Sequence, residues 1–309
     1  SGCKDRRIES YETAKEFVPP ATVGHAGHAH DEAGLMAAPD KASPLSWEAP
    51  AHWKTKPKSS MRRESFGVPL TEVDNIGFGL GAEVTRLGID TTSPLRYQEF
   101  VGLFGNRNTS VPGTVSWLRD QRDSALLPTR GTLVRASLEA GLPGGTLKYY
   151  KLTEQVQWYY PLSRTYTLKL NGEIGAADGM GGKPLPFYKN LYAGGASSVR
   201  GYDSYSLGPR DALGSILGGN KRLVGNAEVL FPMPGTGTDR SMRLGVFLDA
   251  GQVYGSDVKM QLSELRYSTG LAFVWNSPLG PLSLSYGKPL NAKATDSIQH
   301  VQFQLGQVF

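Results

Sequence analysis

The most constraining feature of this 309-residue sequence is a series of short segments in which apolar and polar residues alternate. The segment PLSLSY, for example, places Leu282, Leu284 and Tyr286 on one side and Ser283 and Ser285 on the other. Such alternation predicts β-strands with two unlike faces. We therefore predict an all-β chain built as an antiparallel meander. Ten such segments follow one another, at about residues 75–87, 113–123, 131–144, 147–162, 166–179, 221–233, 241–254, 265–278, 281–291 and 301–309.

Strands with one apolar and one polar face fit either a soluble sandwich or a transmembrane β-barrel, in which the apolar face meets lipid. Two features favour the barrel. Trp158, Tyr159 and Tyr160 cluster at one strand end and Trp275 lies near another, as in the aromatic girdles of membrane barrels. Short connections such as 142–145 and 277–280 contrast with a long one at about 180–220.

Bulk properties exclude other classes of protein. Lysine and arginine total 33 against 28 acidic residues, a net charge of +5, and no basic helix is evident, so we expect no nucleic-acid partner. Cys3 is the only cysteine, which excludes an internal disulfide and a thiolate metal cluster. The sequence has no run of 18 apolar residues, so we expect no transmembrane helix.

Residues 1–67 differ from the rest. They contain six prolines and the low-complexity piece GHAGHAHDEAG, with too few large apolar residues for a substantial core. The opening SGCKDRR resembles a lipoprotein processing site, which makes Cys3 a candidate lipid attachment residue. We therefore predict a low-complexity, lipoprotein-like segment over 1–67 and a barrel domain over 68–309.

Three histidines in that first segment, His25, His28 and His30, are candidate copper or zinc ligands. A solvated linker explains the same composition, and we expect no bound metal and no cofactor. An enzyme is also not expected, because four of the five histidines lie in the N-terminal part and the sequence contains no Gly-x-Ser-x-Gly motif.

A glycine-rich stretch, GGASSVRGYDSYSLGPRD at 194–211, carries an isolated arginine, Arg200. With its flanks, LPFYKNLYAGGASSVRGYDSYSLGPRD resembles the long sixth extracellular loop of the BamA family of outer-membrane barrel-assembly proteins. The terminal VQFQLGQVF resembles the β-signal of bacterial outer-membrane barrels, with Phe303, Leu305 and Phe309 as its apolar positions. The resemblance covers about residues 70–309 and corresponds to the last ten strands of the family's larger barrel.

The resemblance implies that the loop folds back into the barrel lumen. The motif residues Val199, Arg200, Gly201 and Tyr202 would lie there, with Arg200 paired to two carboxylates of the inner wall. Those partners would be Glu228 in NAEVLF and Asp249 in FLDAG. A solvent-exposed loop with an unengaged arginine is the alternative.

The implied function is to help fold and insert outer-membrane proteins in a Gram-negative bacterium. Implied partners are nascent outer-membrane barrel proteins, assembly lipoproteins, and the outer membrane's lipids and lipopolysaccharide. Since residues 1–67 resemble neither the family's first strands nor its POTRA domains, we expect impaired activity. A passive membrane barrel without insertase activity is the alternative. Whether the ten strands close, stay open or pair with another copy is left undecided.

Overall fold

The structure, a computed structural model, describes residues 54–55, 62–69, 73–236, 241–277 and 280–306. They contain one α-helix, α1 (Leu95–Phe104), and two short 3-10 helices, Phe187–Lys189 and Leu262–Glu264. The remaining elements are strands. In chain order these are β1 (Lys54–Thr55), β2 (Arg62–Pro69), β3 (Asp74–Gly81), β4 (Glu83–Arg86), β5 (Arg107–Asp120), β6 (Gly131–Leu142), β7 (Tyr149–Pro161), β8 (Thr167–Gly179), β9 (Gly201–Tyr202), β10 (Lys221–Pro232), β11 (Met242–Tyr254), β12 (Arg266–Ser277), β13 (Gly280–Pro289), β14 (Ile298–Gln299) and β15 (Val301–Leu305).

The strands form one large antiparallel sheet in which sequence neighbours pair. Its order is β1-β2-β3-β5-β6-β7-β8-β10-β11-β12-β13-β15, and β4 pairs with β5 beyond the end of β3. Within the described residues, β1 and β15 do not pair with each other, so the sheet is open there. The predicted all-β antiparallel fold is confirmed, in its open form.

The two faces of the sheet show which side meets lipid. On β13, Leu284 is 45% exposed and Ser285 is 3% exposed. On β11, Leu248 is 50% exposed and Asp249 is fully buried. A soluble sandwich would bury its leucines and expose its polar residues. The opposite arrangement is that of a membrane barrel, in which apolar side chains face lipid and polar ones face the lumen. We call the polar side the inner face.

The sheet begins earlier than the boundary that we expected at residue 68. The strands β1 and β2 pair with each other, and β2 continues the sheet onto β3.

A second difference concerns the aromatic girdle. Trp158 and Tyr160 are exposed on the outer face, but Tyr159 is 2% exposed and contacts Gln157 on the inner face. Adjacent strand residues point to opposite faces, so the three aromatics could not share one side.

The long connection between β8 and β10, residues 180–220, packs on the inner face, and we call it the lumenal loop. It contributes Ala193, Val199, Tyr202 and Leu207 to an apolar cluster that Val224 of β10 and Val253 of β11 complete. The loop is therefore held in place by burial as well as by polar contacts.

Candidate functional site

The lumenal loop reaches the wall through a tight glycine-rich turn. Gly201 has a φ of +88°, which glycine adopts without the strain that a side chain would cause. With Tyr202 it forms β9, which pairs with β14. Ahead of the turn, the backbone N–H of Gly194 donates to Ser198 Oγ at 2.7 Å. These local bonds present Arg200 to the inner face of the sheet.

Arg200 binds two carboxylates of the wall. Its Nε donates to Asp249 Oδ2 at 2.8 Å and its Nη2 to Asp249 Oδ1 at 2.9 Å. Its Nη1 donates to Glu228 Oε1 at 3.2 Å, and its backbone N–H also reaches Asp249 Oδ2, at 3.0 Å. The paired bonds to Asp249 use the planar fork of the guanidinium, a geometry that lysine lacks. The structure thus brings together the three residues that the sequence singled out.

The strand register explains why the two carboxylates converge. Glu228 of β10 lies opposite Phe247 of β11, and Asp249 is two residues further along β11. Residues two apart on a strand share a face, so all three side chains point inward. Arg200 Cζ lies 3.5 Å from the centroid of the Phe247 ring, a cation–π contact that adds to the ion pairs.

The cluster keeps Arg200 charged although it is buried. Burial by itself lowers the pKa of Arg200, but the hydrogen bonds that Arg200 donates to Asp249 and the charges of Glu228 and Asp249 outweigh it, so the pKa is raised overall. Asp249 is fully buried and Glu228 is 6% exposed. Removing the cation would leave two carboxylates largely shielded from water, which is costly.

The remaining motif residues hold the turn. Val199 and Tyr202 are both fully buried in the apolar cluster. The Tyr202 hydroxyl donates to the backbone oxygen of Tyr267 on β12 at 3.3 Å. The motif therefore combines apolar anchors with one charged contact, and each of its residues touches the wall or the loop's own core.

Sequence reasoning missed two amides that hold the loop. Gln302 of β15 donates to the Tyr202 backbone oxygen at 2.6 Å and accepts from the Gly201 backbone N–H at 3.3 Å. Asn226 of β10 donates to the Ser198 backbone oxygen at 2.6 Å. Their positions on the inner face could have been found from strand alternation, but their loop partners could not. Gln302 links the loop directly to the last strand.

The last strand presents the predicted β-signal outward. On β15, Phe303 lies opposite Leu284 of β13, and Leu305 lies opposite Leu282. Phe303 and Leu305 are about two-thirds exposed, as side chains that meet lipid should be. Among the described strands β15 pairs with β13 alone, so its other edge can accept a further strand.

A second connection enters the lumen from the other end of β11. Arg243, near the start of that strand, donates to the backbone oxygens of Pro128 and Leu127 at 2.9 and 2.8 Å. A cavity of about 310 Å³ lies between this β5–β6 connection and the lumenal loop, and both Arg200 and Arg243 line it. The inner face is thus covered by two connections that both contact β11.

Several candidate residues from the sequence lie outside the described part of the chain: Cys3, His25, His28, His30 and Phe309. Among the described residues, no group of three histidine, cysteine or acidic side chains is placed to hold a metal ion. No helix among them is long and apolar enough to cross a membrane.

Comparison with known proteins agrees with this architecture. Residues 54–309 match the Omp85 superfamily domain. The chain is 42% identical to the outer membrane protein assembly factor BamA of Neisseria meningitidis over 79% of its own length and 35% of that protein. It is 31% identical to BamA of Nitratidesulfovibrio vulgaris over 79% of its length and 31% of that protein. It thus spans about a third of these relatives.

A solved structure shows the same fold. The crystal structure of BamA from Haemophilus ducreyi lacking POTRA domains 1-3 superposes with a TM-score of 0.72 at 26% identity. The match covers 78% of this chain and 52% of that one. The outer-membrane location expected from the sequence is confirmed by these matches. From the match over residues 54–309 and the shared antiparallel sheet, this chain belongs to the Omp85 superfamily.

Proposed function

We propose that this chain takes part in folding and inserting β-barrel proteins into the outer membrane. The observation that carries the proposal is the contact between the lumenal loop and the last strand. Gln302 of β15 binds the backbone of Gly201 and Tyr202, next to the Arg200 ion pairs. The position of the loop is therefore coupled to the strand whose outer edge is open among the described residues.

An open strand edge gives this function a physical basis. Its unpaired N–H and C=O groups can bind an incoming strand by backbone hydrogen bonds, largely independently of the client's sequence. The exposed apolar side chains of β15 keep that edge at the level of the lipid, where a client strand must insert. The proposed partners are nascent outer-membrane barrel proteins, the lipids and lipopolysaccharide around the sheet, and assembly lipoproteins.

The relatives support the same proposal. Two bear the name outer membrane protein assembly factor, and a mouse relative, 31% identical over 60% of this chain, is a sorting and assembly machinery component. No enzymatic step is proposed, because strand pairing and insertion need only binding.

For residues ahead of the sheet, we propose a separate lipoprotein-like segment, lipidated at Cys3. Labelling with a radioactive fatty acid, lost in Cys3→Ser, tests the lipidation.

A folding assay tests the main proposal. The purified chain is inserted into phospholipid vesicles, and a urea-denatured outer-membrane barrel is added as client. Folded client is then measured over time by its heat-modifiable gel migration. We expect faster folding than in empty vesicles, and slower folding with Arg200→Ala than with the control Arg164→Ala, which alters an exposed arginine. Equal rates with and without the chain would identify a passive barrel.

A further inference from the structure

A second cluster of charges holds the lumenal loop against strands that Arg200 does not contact. Lys189 ends the 3-10 helix Phe187–Lys189, in the first limb of the loop. Its Nζ lies 3.0 Å from Glu139 Oε1 and 3.1 Å from Glu83 Oε2. The Tyr149 hydroxyl donates to the same Glu139 oxygen at 2.6 Å, and Lys189 Nζ lies 5.0 Å from the centre of the Tyr149 ring.

This cluster is shielded from water. The side chain of Lys189 is 14% exposed, and those of Glu83 and Glu139 are 17% and 28% exposed. Burial lowers the pKa of Lys189, but its hydrogen bond to Glu139 and the charges of both carboxylates outweigh that effect and raise the pKa overall. The ammonium therefore stays charged between two carboxylates that would otherwise repel each other.

The two anchors attach the loop to different parts of the sheet. The partners of Lys189 lie on β4, β6 and β7, whereas those of Arg200 lie on β10 and β11. In the sheet order, β8 separates β7 from β10. The loop therefore bridges the inner face between two sections of wall, with one cation fixed at each.

Helix α1 supports the same limb. Tyr97 of α1 stacks on Phe187 with ring centres 4.0 Å apart, and Phe100 meets Phe187 edge-on at 5.5 Å. The Tyr97 hydroxyl donates to the backbone oxygen of Leu217 at 3.2 Å, in the returning limb of the loop. Apolar stacking tolerates small slides of one ring over another, while a two-carboxylate contact fixes the position of the ammonium.

We propose that Lys189 is a positioning residue, a second anchor that fixes the first limb of the lumenal loop so that the arginine motif reaches Asp249. The inference goes beyond the Arg200 contact because its partners, strands and chemistry are all different. It rests on the proposed function only in its activity readout, since the position of the loop is measured separately.

Loop position is measured by double electron–electron resonance in a Cys3→Ser background. Spin labels at Leu103→Cys on α1 and Leu213→Cys on the loop suit this purpose, because both side chains are more than three-quarters exposed. Chymotrypsin cleavage after Tyr205, which is 65% exposed, gives a second readout that lysine and arginine substitutions do not affect directly. Only chains that migrate as folded barrels are compared.

We expect Lys189→Met to broaden the distance distribution and to speed loop cleavage about tenfold, roughly the effect of losing one charged hydrogen bond. Lys189→Arg should restore the wild-type distribution, and the exchange Lys189→Glu with Glu139→Lys should restore it in part. The control Lys148→Met removes an exposed lysine near Tyr149 and should change nothing.

The outcomes separate this inference from the proposed function. A wild-type distribution and cleavage rate in Lys189→Met would overturn the anchor, as would failure of Lys189→Arg to rescue. If Lys189→Met displaces the loop while client folding by wild type never exceeds that of empty vesicles, the anchor stands and the proposed function fails. If both loop position and client folding change together, both are supported.

Discussion

The backbone of Gly201 in the lumenal loop lies directly against that of Gly287 on β13. A Cβ added to Gly287 would stand 2.6 Å from the Gly201 nitrogen, and one added to Gly201 would stand 3.0 Å from the Gly287 carbonyl. Gly201 also has a positive φ. The arginine motif can therefore approach the wall closely only because neither partner has a side chain.

We expect Gly287→Ala to push the loop away from β13. The added methyl group meets backbone atoms that cannot rotate away, and overpacking of this kind costs about 1–3 kcal/mol. Chymotrypsin cleavage of the loop should accelerate, and the barrel should unfold at a lower temperature in heat-modifiability gels. Gly225→Ala on β10 is the control, since a Cβ there has no neighbour within 4 Å. Identical behaviour of the two variants would contradict the close contact.

Removing the Arg200 side chain should release the lumenal loop through the loss of its ion pairs rather than through a steric clash. Arg200→Ala leaves Glu228 and Asp249 buried without their cation, and breaking a buried pair costs about 3–5 kcal/mol. Because the Arg200 side chain is 11% exposed, water partly reaches this ion pair. We therefore expect a loss of stability at or below the lower end of that range. Arg200→Lys should rescue in part, as a point charge cannot replace the fork. Indistinguishable melting and cleavage of wild type and Arg200→Ala would contradict the role of Arg200 in holding the lumenal loop against the inner face.

The alternation of residues predicted much of this architecture. Each of the ten predicted segments contains a strand, with β3 and β4 together in the first, whereas the two-residue strands β9 and β14 were not predicted. The alternation also placed Leu284 and Ser285 on opposite faces, because a period of two determines which face a strand residue occupies. The pairing of Arg200 with Glu228 and Asp249 was implied by family resemblance rather than by the pattern. The prediction that Tyr159 belongs to an aromatic girdle with Trp158 and Tyr160 was wrong. Alternation alone would have placed Tyr159 on the inner face.

Other features could not be predicted, for physical reasons. The segment RRESFGVP of β2 lacks clear alternation, so its strand depends on pairing with β3. Helix α1 is ten residues long, too short to be stable alone, and is supported by stacking on Phe187. The bond between Gln302 and Gly201 joins residues 101 positions apart, a contact that only the folded sheet creates.

The membrane orientation of the sheet can be tested with cysteines in a Cys3→Ser background. Leu284→Cys and Tyr286→Cys should face acyl chains, whereas Lys169→Cys and Ser283→Cys should face the lumen. A membrane-impermeant thiol reagent should label the lumenal pair faster, because lipid covers the outer pair. Positions 283 and 284 are adjacent and so make a matched comparison. Equal labelling of both pairs would favour a soluble sandwich.

Tyr202 should make the loop sensitive to alkali. Burial, helped by the charge of Asp296 and opposed by Arg266, raises the pKa of Tyr202 to about 12, from the ordinary value of 10.0. The raised pKa means that the folded chain holds the Tyr202 hydroxyl proton more tightly than the unfolded chain. The contribution of Tyr202 to the free energy of unfolding is therefore complete below pH 10. It is lost as the pH rises from 10 to about 12.

Comparison with Tyr202→Phe distinguishes the ionisation of Tyr202 from that of the other thirteen tyrosines among the fourteen in the chain. The difference between the two absorbance titrations at the tyrosinate band should show one group ionising near pH 12. Loop cleavage should rise steeply between pH 10 and 12 in the wild type and less steeply in the variant, which has no hydroxyl to ionise. At neutral pH the variant loses the hydroxyl's bond to the Tyr267 backbone oxygen at 3.3 Å, which it shares with Asn291 Oδ1 at 3.5 Å, a net cost of about 1 kcal/mol. If cleavage rises equally in both, ionisation of Tyr202 does not release the loop.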